Sequence, residues 1–157
     1  MSLSLIESRL KDLKLIVPDL ESPLGLYVPV VRTGNLLLTS GQLPKSAGKI
    51  EYRGKLGREF DVEAGKRAAR LALVNALSAV KYGLKGEWSA LRRAVSLRLA
   101  VASAVGFTDQ AAVADAASDL LLKLLGAEHG AHARFTWGCL ELPLGAAVEL
   151  ELVVEVN

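Results

Sequence analysis

The 157-residue sequence predicts a single α/β (α+β) domain, residues 1–157. A mixed β-sheet carries two long helices on one face, and a further helix is added at the N-terminus. Three observations predict it. Val148, Leu150, Leu152, Val154 and Val156 alternate with Glu149, Glu151, Val153 and Glu155, the period-two signature of a half-buried strand. Val95, Leu97, Leu99 and Val101 alternate in the same way with Ser96, Arg98, Ala100 and Ala102. Two stretches rich in alanine and leucine, 62–82 and 109–125, carry apolar stripes at helical spacing. Two such helices cover one face of a sheet. The second face keeps apolar groups of its own and needs a cover, which oligomerisation supplies.

The elements follow in order. Ile6, Leu10 and Leu13 recur at helical spacing, and the pattern stops before Pro18. Residues 1–17 are therefore expected as a helical extension. Leu26 to Val31 reads as an extended run, with Pro29 placing it near a sheet edge. Thr33-Gly34-Asn35 turns the chain into a second strand, Leu36 to Thr39. Residues 45–58 are polar, basic and glycine-rich, and are expected as a loop with one short strand at 50–52. Asp61 is the expected N-cap of the first long helix and Gly83 its stop. Thr108 is expected to cap the second long helix, and Gly126 to end it.

The stretch from Arg134 to Val156 holds two apolar runs broken by Pro143-Leu144-Gly145. Such a pair reads as a β-hairpin with a Pro/Gly loop. Arg134 begins the first run and Glu149 stands one residue into the second. Antiparallel pairing would return Glu149 near Leu142, so any approach of Arg134 and Glu149 must come from the tertiary or quaternary fold.

Composition bounds the function. A net charge of +2 is small for a protein that neutralises several phosphates, which disfavours a strong nucleic-acid binder. The single cysteine, Cys139, allows no intrachain disulfide and suits a reducing compartment, so a cytoplasmic location is expected. No apolar run is long enough to span a membrane. His129 and His132 lie three apart without a second ligand pair, so no metal is expected. No Ser/His/Asp spacing and no phosphate loop stands out.

Three stretches together resemble the Rid (reactive intermediate deaminase) or YjgF-type family, formerly labelled endoribonuclease L-PSP. They are Tyr27 with Gly34-Asn35 and the Leu-Leu-Leu-Thr-Ser-Gly-Gln run at 36–42; the helix–strand–helix order; and Ala133-Arg134, Leu142-Pro143 and Ala147 to Glu151. The resemblance covers Gly25 to the C-terminus. It implies a chorismate-mutase-like fold and a homotrimer with sites in the clefts between subunits. It also implies hydrolysis of 2-enamino and 2-imino acids to 2-keto acids and ammonia, without a cofactor. Residue by residue, it implies a carboxylate anchor at Arg134, an acid/base at Glu149, a water-holding hydroxyl at Tyr27, and a pocket lining at Ser40 and Gly41. The chain departs from the family pattern in its N-terminal helix, its long 45–58 loop and the absence of an asparagine at 105–109.

The residue types suit those roles. A guanidinium grips a carboxylate through two parallel hydrogen bonds, and a carboxylate moves protons to and from water. Two other readings stand beside the deaminase. One is an endoribonuclease, for which the basic run Lys45, Lys49, Arg53, Lys55 and Arg58 would contact RNA; with only Tyr52 interleaved, it makes a poor stacking platform. The other is a non-catalytic binder of small carboxylates.

Overall fold

The computed structural model describes residues 3–20 and 25–157. Helix α1 spans Leu3–Asp12 and leads into an extended segment. A five-stranded sheet follows, built from β1 (Val30–Thr33), β2 (Leu36–Thr39), β5 (Leu91–Ala102), β6 (Ala133–Cys139) and β7 (Val148–Val156). A two-stranded ribbon, β3 (Lys45–Ser46) and β4 (Lys49–Ile50), is separate from it. Helices α2 (Val62–Gly83) and α3 (Gln110–Gly130) pack on each other and on one sheet face. The mixed sheet with two long helices and an added N-terminal helix is the architecture that the sequence pattern predicts.

Strand order is β1-β2-β7-β5-β6. The expected hairpin of the last two strands is therefore absent. β5 lies between them, parallel to β6 and antiparallel to β7. The β5–α3–β6 unit is a parallel crossover, which needs a helix-length connection. The chain then passes over the end of β5 through residues 140–147, with a single 3₁₀ turn at Pro143–Gly145. An apolar run marked β6 and alternation marked β7, but neither carries information on which strand pairs with which.

The core is aliphatic. Leu97, Leu99 and Val101 of β5 and Leu150, Leu152 and Val154 of β7 are buried beneath Leu73 and Leu77 of α2 and Leu120, Leu121 and Leu124 of α3. Asp61 caps α2 by accepting the Ala64 N–H at 2.8 Å. The residue at the cap of α3 is Asp109, one later than Thr108, and it makes no side-chain cap bond. At Gly126 the backbone leaves helical geometry (φ 86°), and one more turn runs to Gly130. The break frees the Leu124 carbonyl, to which Arg9 Nη1 of α1 donates at 3.1 Å. Fully buried Ile6 and partly buried Leu10, Leu13, Leu15 and Val17 join the extension to the core.

Between residues 45 and 58 the ribbon replaces the strand expected at 50–52. Its turn residues, Ala47 and Gly48, both have positive φ, as a type I′ hairpin turn requires. The second sheet face carries Arg98, whose guanidinium lies 5.9 Å from the Phe135 ring centroid and 5.5 Å from that of Trp137. Val31, Leu38 and Phe135 are exposed.

Candidate functional site

The Thr39-Ser40-Gly41-Gln42 segment builds the site, and each residue has a separate task. β2 pairs with β7 through Leu38 and Val153. The ladder then skips a residue and resumes at Gln42, whose N–H donates to Leu150 O at 2.7 Å and whose carbonyl accepts the Leu150 N–H at 2.9 Å. A bulge of this kind leaves a backbone group without its ladder partner. The buried Thr39 hydroxyl fills the gap by accepting the Leu152 N–H at 3.0 Å. Ser40 Oγ donates to Val28 O at 2.6 Å and so holds the segment that carries Tyr27. Gln42 Nε2 donates to Ser40 O at 3.2 Å.

The bulge carries Gly41 over Glu149. A Cβ at Gly41 would stand 2.9 Å from Glu149 Cδ and nearer still to Oε1. The carboxyl group thus occupies the space that any other residue at position 41 would fill. Glu149 is half-buried, and burial pushes its carboxyl above the usual carboxylate range.

A cavity of about 460 Å³ opens here. Tyr27, Gly41, Gln42 and Glu149 line it together with Lys45, Asn75 and Ser78. Asn75 of α2 fixes one wall by donating Nδ2 to Leu43 O at 2.8 Å and to Lys45 O at 3.0 Å. Of the five expected site residues, Tyr27, Gly41 and Glu149 meet at this cavity. Ser40 supports it from behind, with its hydroxyl committed to Val28.

Arg134 lies elsewhere. It is in register with Leu97, which is in register with Leu152, and both are fully buried under the helices. Glu149 is in register with Ala100 and thence Trp137. Alternation therefore sets the two side chains on opposite sheet faces, and three residues of strand, about 10 Å, separate their rows. Arg134 Nη1 donates to Asp115 Oδ1 at 2.7 Å and to Ser118 Oγ at 3.1 Å. His132 joins this cluster, its ring nitrogens 3.0 Å from Ser118 Oγ and 2.7 Å from Gly130 O. Within one protomer Arg134 and Glu149 do not meet; the cleft expected to hold them lies between subunits. The cation on the cavity wall is Lys45, a residue that pattern reading assigned to a solvated basic loop.

The remaining chemistry is narrow. Burial first, then the carboxylates of Glu149 and Glu141, push the Cys139 thiol up, which opposes a thiolate nucleophile. Among the described residues, no three His, Cys, Asp or Glu side chains converge as metal ligands would. The basic loop is partly neutralised by its own neighbours. Lys55 pairs with Glu141 at 2.7 Å, and Arg58 with Glu59 at 2.5 Å. No described helix is long and apolar enough to cross a membrane.

The family model described as "YjgF/chorismate_mutase-like, putative endoribonuclease" matches residues 7–156. The chain belongs to the YjgF family. It is 38% identical over 152 residues to Protein TCP17 of Trypanosoma cruzi, covering 97% of this chain and 94% of the relative. Among solved structures it is similar to Atu1372 of Agrobacterium tumefaciens, a protein of unknown function. The identity there is 43% and the TM-score 0.89, with 98% of this chain and 94% of that one covered. A structure from Shewanella oneidensis named as a "putative endoribonuclease" aligns at TM-score 0.91 with 35% identity, covering 96% and 99%. The match from residue 7 takes most of α1 into the family domain.

Proposed function

We propose that this YjgF-family chain is a hydrolytic deaminase of reactive 2-enamino and 2-imino acids. The observation that carries the reading is the half-buried Glu149 carboxyl beside Gly41, lining the cavity and pushed above the usual carboxylate range by burial. A carboxyl so placed can take a proton from water and return it.

The enamine tautomerises to the imine, and a proton on nitrogen makes C2 electrophilic. Glu149 takes a proton from water as its oxygen bonds to C2. The same group then returns a proton to the amine nitrogen, the C–N bond breaks as the hydroxyl releases its proton to solvent and becomes the carbonyl, and ammonia leaves with a 2-keto acid behind; the released proton replaces the one that activated the imine. One water is consumed, and no electrons are exchanged. The Tyr27 hydroxyl orients the water. The substrate carboxylate falls to Arg134, whose planar guanidinium would grip it through two parallel hydrogen bonds across a cleft between subunits. Arg134, engaged with Asp115 and Ser118 on the opposite face, ties β6 to α3.

The assembly proposed with this activity is a homotrimer joined through the second sheet face, where Val31, Leu38 and Phe135 stand exposed. Sedimentation of the purified chain at the trimer mass supports it, and a monomer at micromolar concentration rejects it.

The RNA-cleaving reading draws on the family description, yet its basic run is partly spent on Glu141 and Glu59. The experiment is a coupled assay in which a pyridoxal-phosphate dehydratase releases imino acid in situ and keto acid formation is followed. Wild type is expected to speed release, and Glu149→Gln to lose most of that acceleration. Equal rates with and without protein, over several amino-acid precursors, reject the deaminase.

A further inference from the structure

Building on the deaminase reading, we propose that the site selects imino acids with long apolar side chains, and that the N-terminal extension supplies the selecting wall. The cavity has two chemically distinct parts. Glu149, Tyr27 and Lys45 make the polar part. Gln42, Asn75 and Ser78 add polar groups to the lining, and its aliphatic members are Ile16 and Leu20 from the extension and Leu43, Leu71 and Val74 from the body of the domain.

The extension is fixed in this place. Leu15 and Val17 pack on the core, and Lys81 of α2 pairs with Asp19 at 3.1 Å. Alternation along the extended segment then turns Ile16 the other way, to the cavity rim, where it is 86% exposed. An isoleucine held in water at the mouth of a cavity gains only when an apolar group covers it. At about 30 Å³ per water, 460 Å³ far exceeds what a three-carbon imino acid fills. The volume lies in the range of pockets that enclose larger ligands. A small substrate would leave Leu43, Leu71 and Ile16 in contact with water, and a branched or aromatic side chain would displace it.

The test compares imines made from leucine and from alanine by an amino-acid oxidase, using wild type and Ile16→Asn. A second measurement titrates 4-methyl-2-oxopentanoate and pyruvate into each protein by calorimetry. Because Ile16 is exposed, its replacement leaves folding intact. Wild type is expected to favour the leucine-derived imine in kcat/KM, and the longer keto acid in binding, by about tenfold or more. Ile16→Asn is expected to cut that ratio severalfold. Turnover of both imines without preference, or a ratio indifferent to Ile16→Asn, overturns the selecting wall and leaves the deaminase standing. Selective binding of the longer keto acid with no turnover of any imine supports the wall and rejects the deaminase. Absence of both turnover and binding rejects both.

Discussion

The Glu149 carboxyl lies against Gly41, in space that a side chain at position 41 would take. Gly41 does not have a positive φ, so alanine is tolerated by the backbone, and its effect reports crowding alone. Gly41→Ala is expected to push the carboxyl aside by a fraction of an ångström to an ångström. A misplacement of that size costs on the order of a hundredfold in turnover. The melting temperature should hardly move, because the displaced atoms end a flexible side chain. Imine hydrolysis and calorimetric unfolding of the variant check both parts.

Glu149 also sets a pH dependence of stability. Burial raises its native pKa above the unfolded value, so the native state holds the proton more tightly. Stability is then greatest below the ordinary glutamate range. It falls as pH rises through the raised native value and is level above it. Glu149→Gln lacks this fall. The variant is expected to melt higher than wild type at neutral pH, with the difference shrinking toward zero as the pH drops to 4. Thermal melts across that range check the sign.

Thr39 stands in for a missing ladder bond at the bulge. Thr39→Val keeps the shape and removes the acceptor, leaving the Leu152 N–H buried and unpaired. The expected cost is about 1–3 kcal/mol, read from urea unfolding at constant slope. Amide exchange at Leu152 should quicken in the same variant.

Arg134 is expected to matter more to catalysis than to stability. Its bond to Asp115 is largely exposed on the acid's side, and such pairs contribute no more than about 1 kcal/mol. Arg134→Ala should lose stability of that order and most imine turnover, with the trimer retained. A double-mutant cycle with Asp115→Ala measures the coupling.

Much of this arrangement was legible in the sequence. Period-two runs marked β5 and β7, Asp61 marked the start of α2, and the Thr-Ser-Gly-Gln motif pointed to the site. The hairpin of β1 and β2 was legible from its turn, whereas the pairing of β6 and β7 was not. Alternation says that Arg134 and Glu149 begin or follow strands, but only the insertion of β5 between those strands decides that they face opposite ways. The work of Thr39 and Gln42 was hidden for a related reason, since a bulge is a property of two strands together. Lys45 read as one more loop cation because its place on the cavity wall depends on Asn75, thirty residues away.

The most direct test of where the chemistry happens is a crystal structure with a bound 2-keto acid. The expected result is a ligand in the cavity beside Gly41, with its C2 carbonyl within hydrogen-bond reach of Glu149 and its carboxylate on Arg134 across a subunit boundary. A ligand bound away from Glu149, with the cavity beside Gly41 empty, would contradict it.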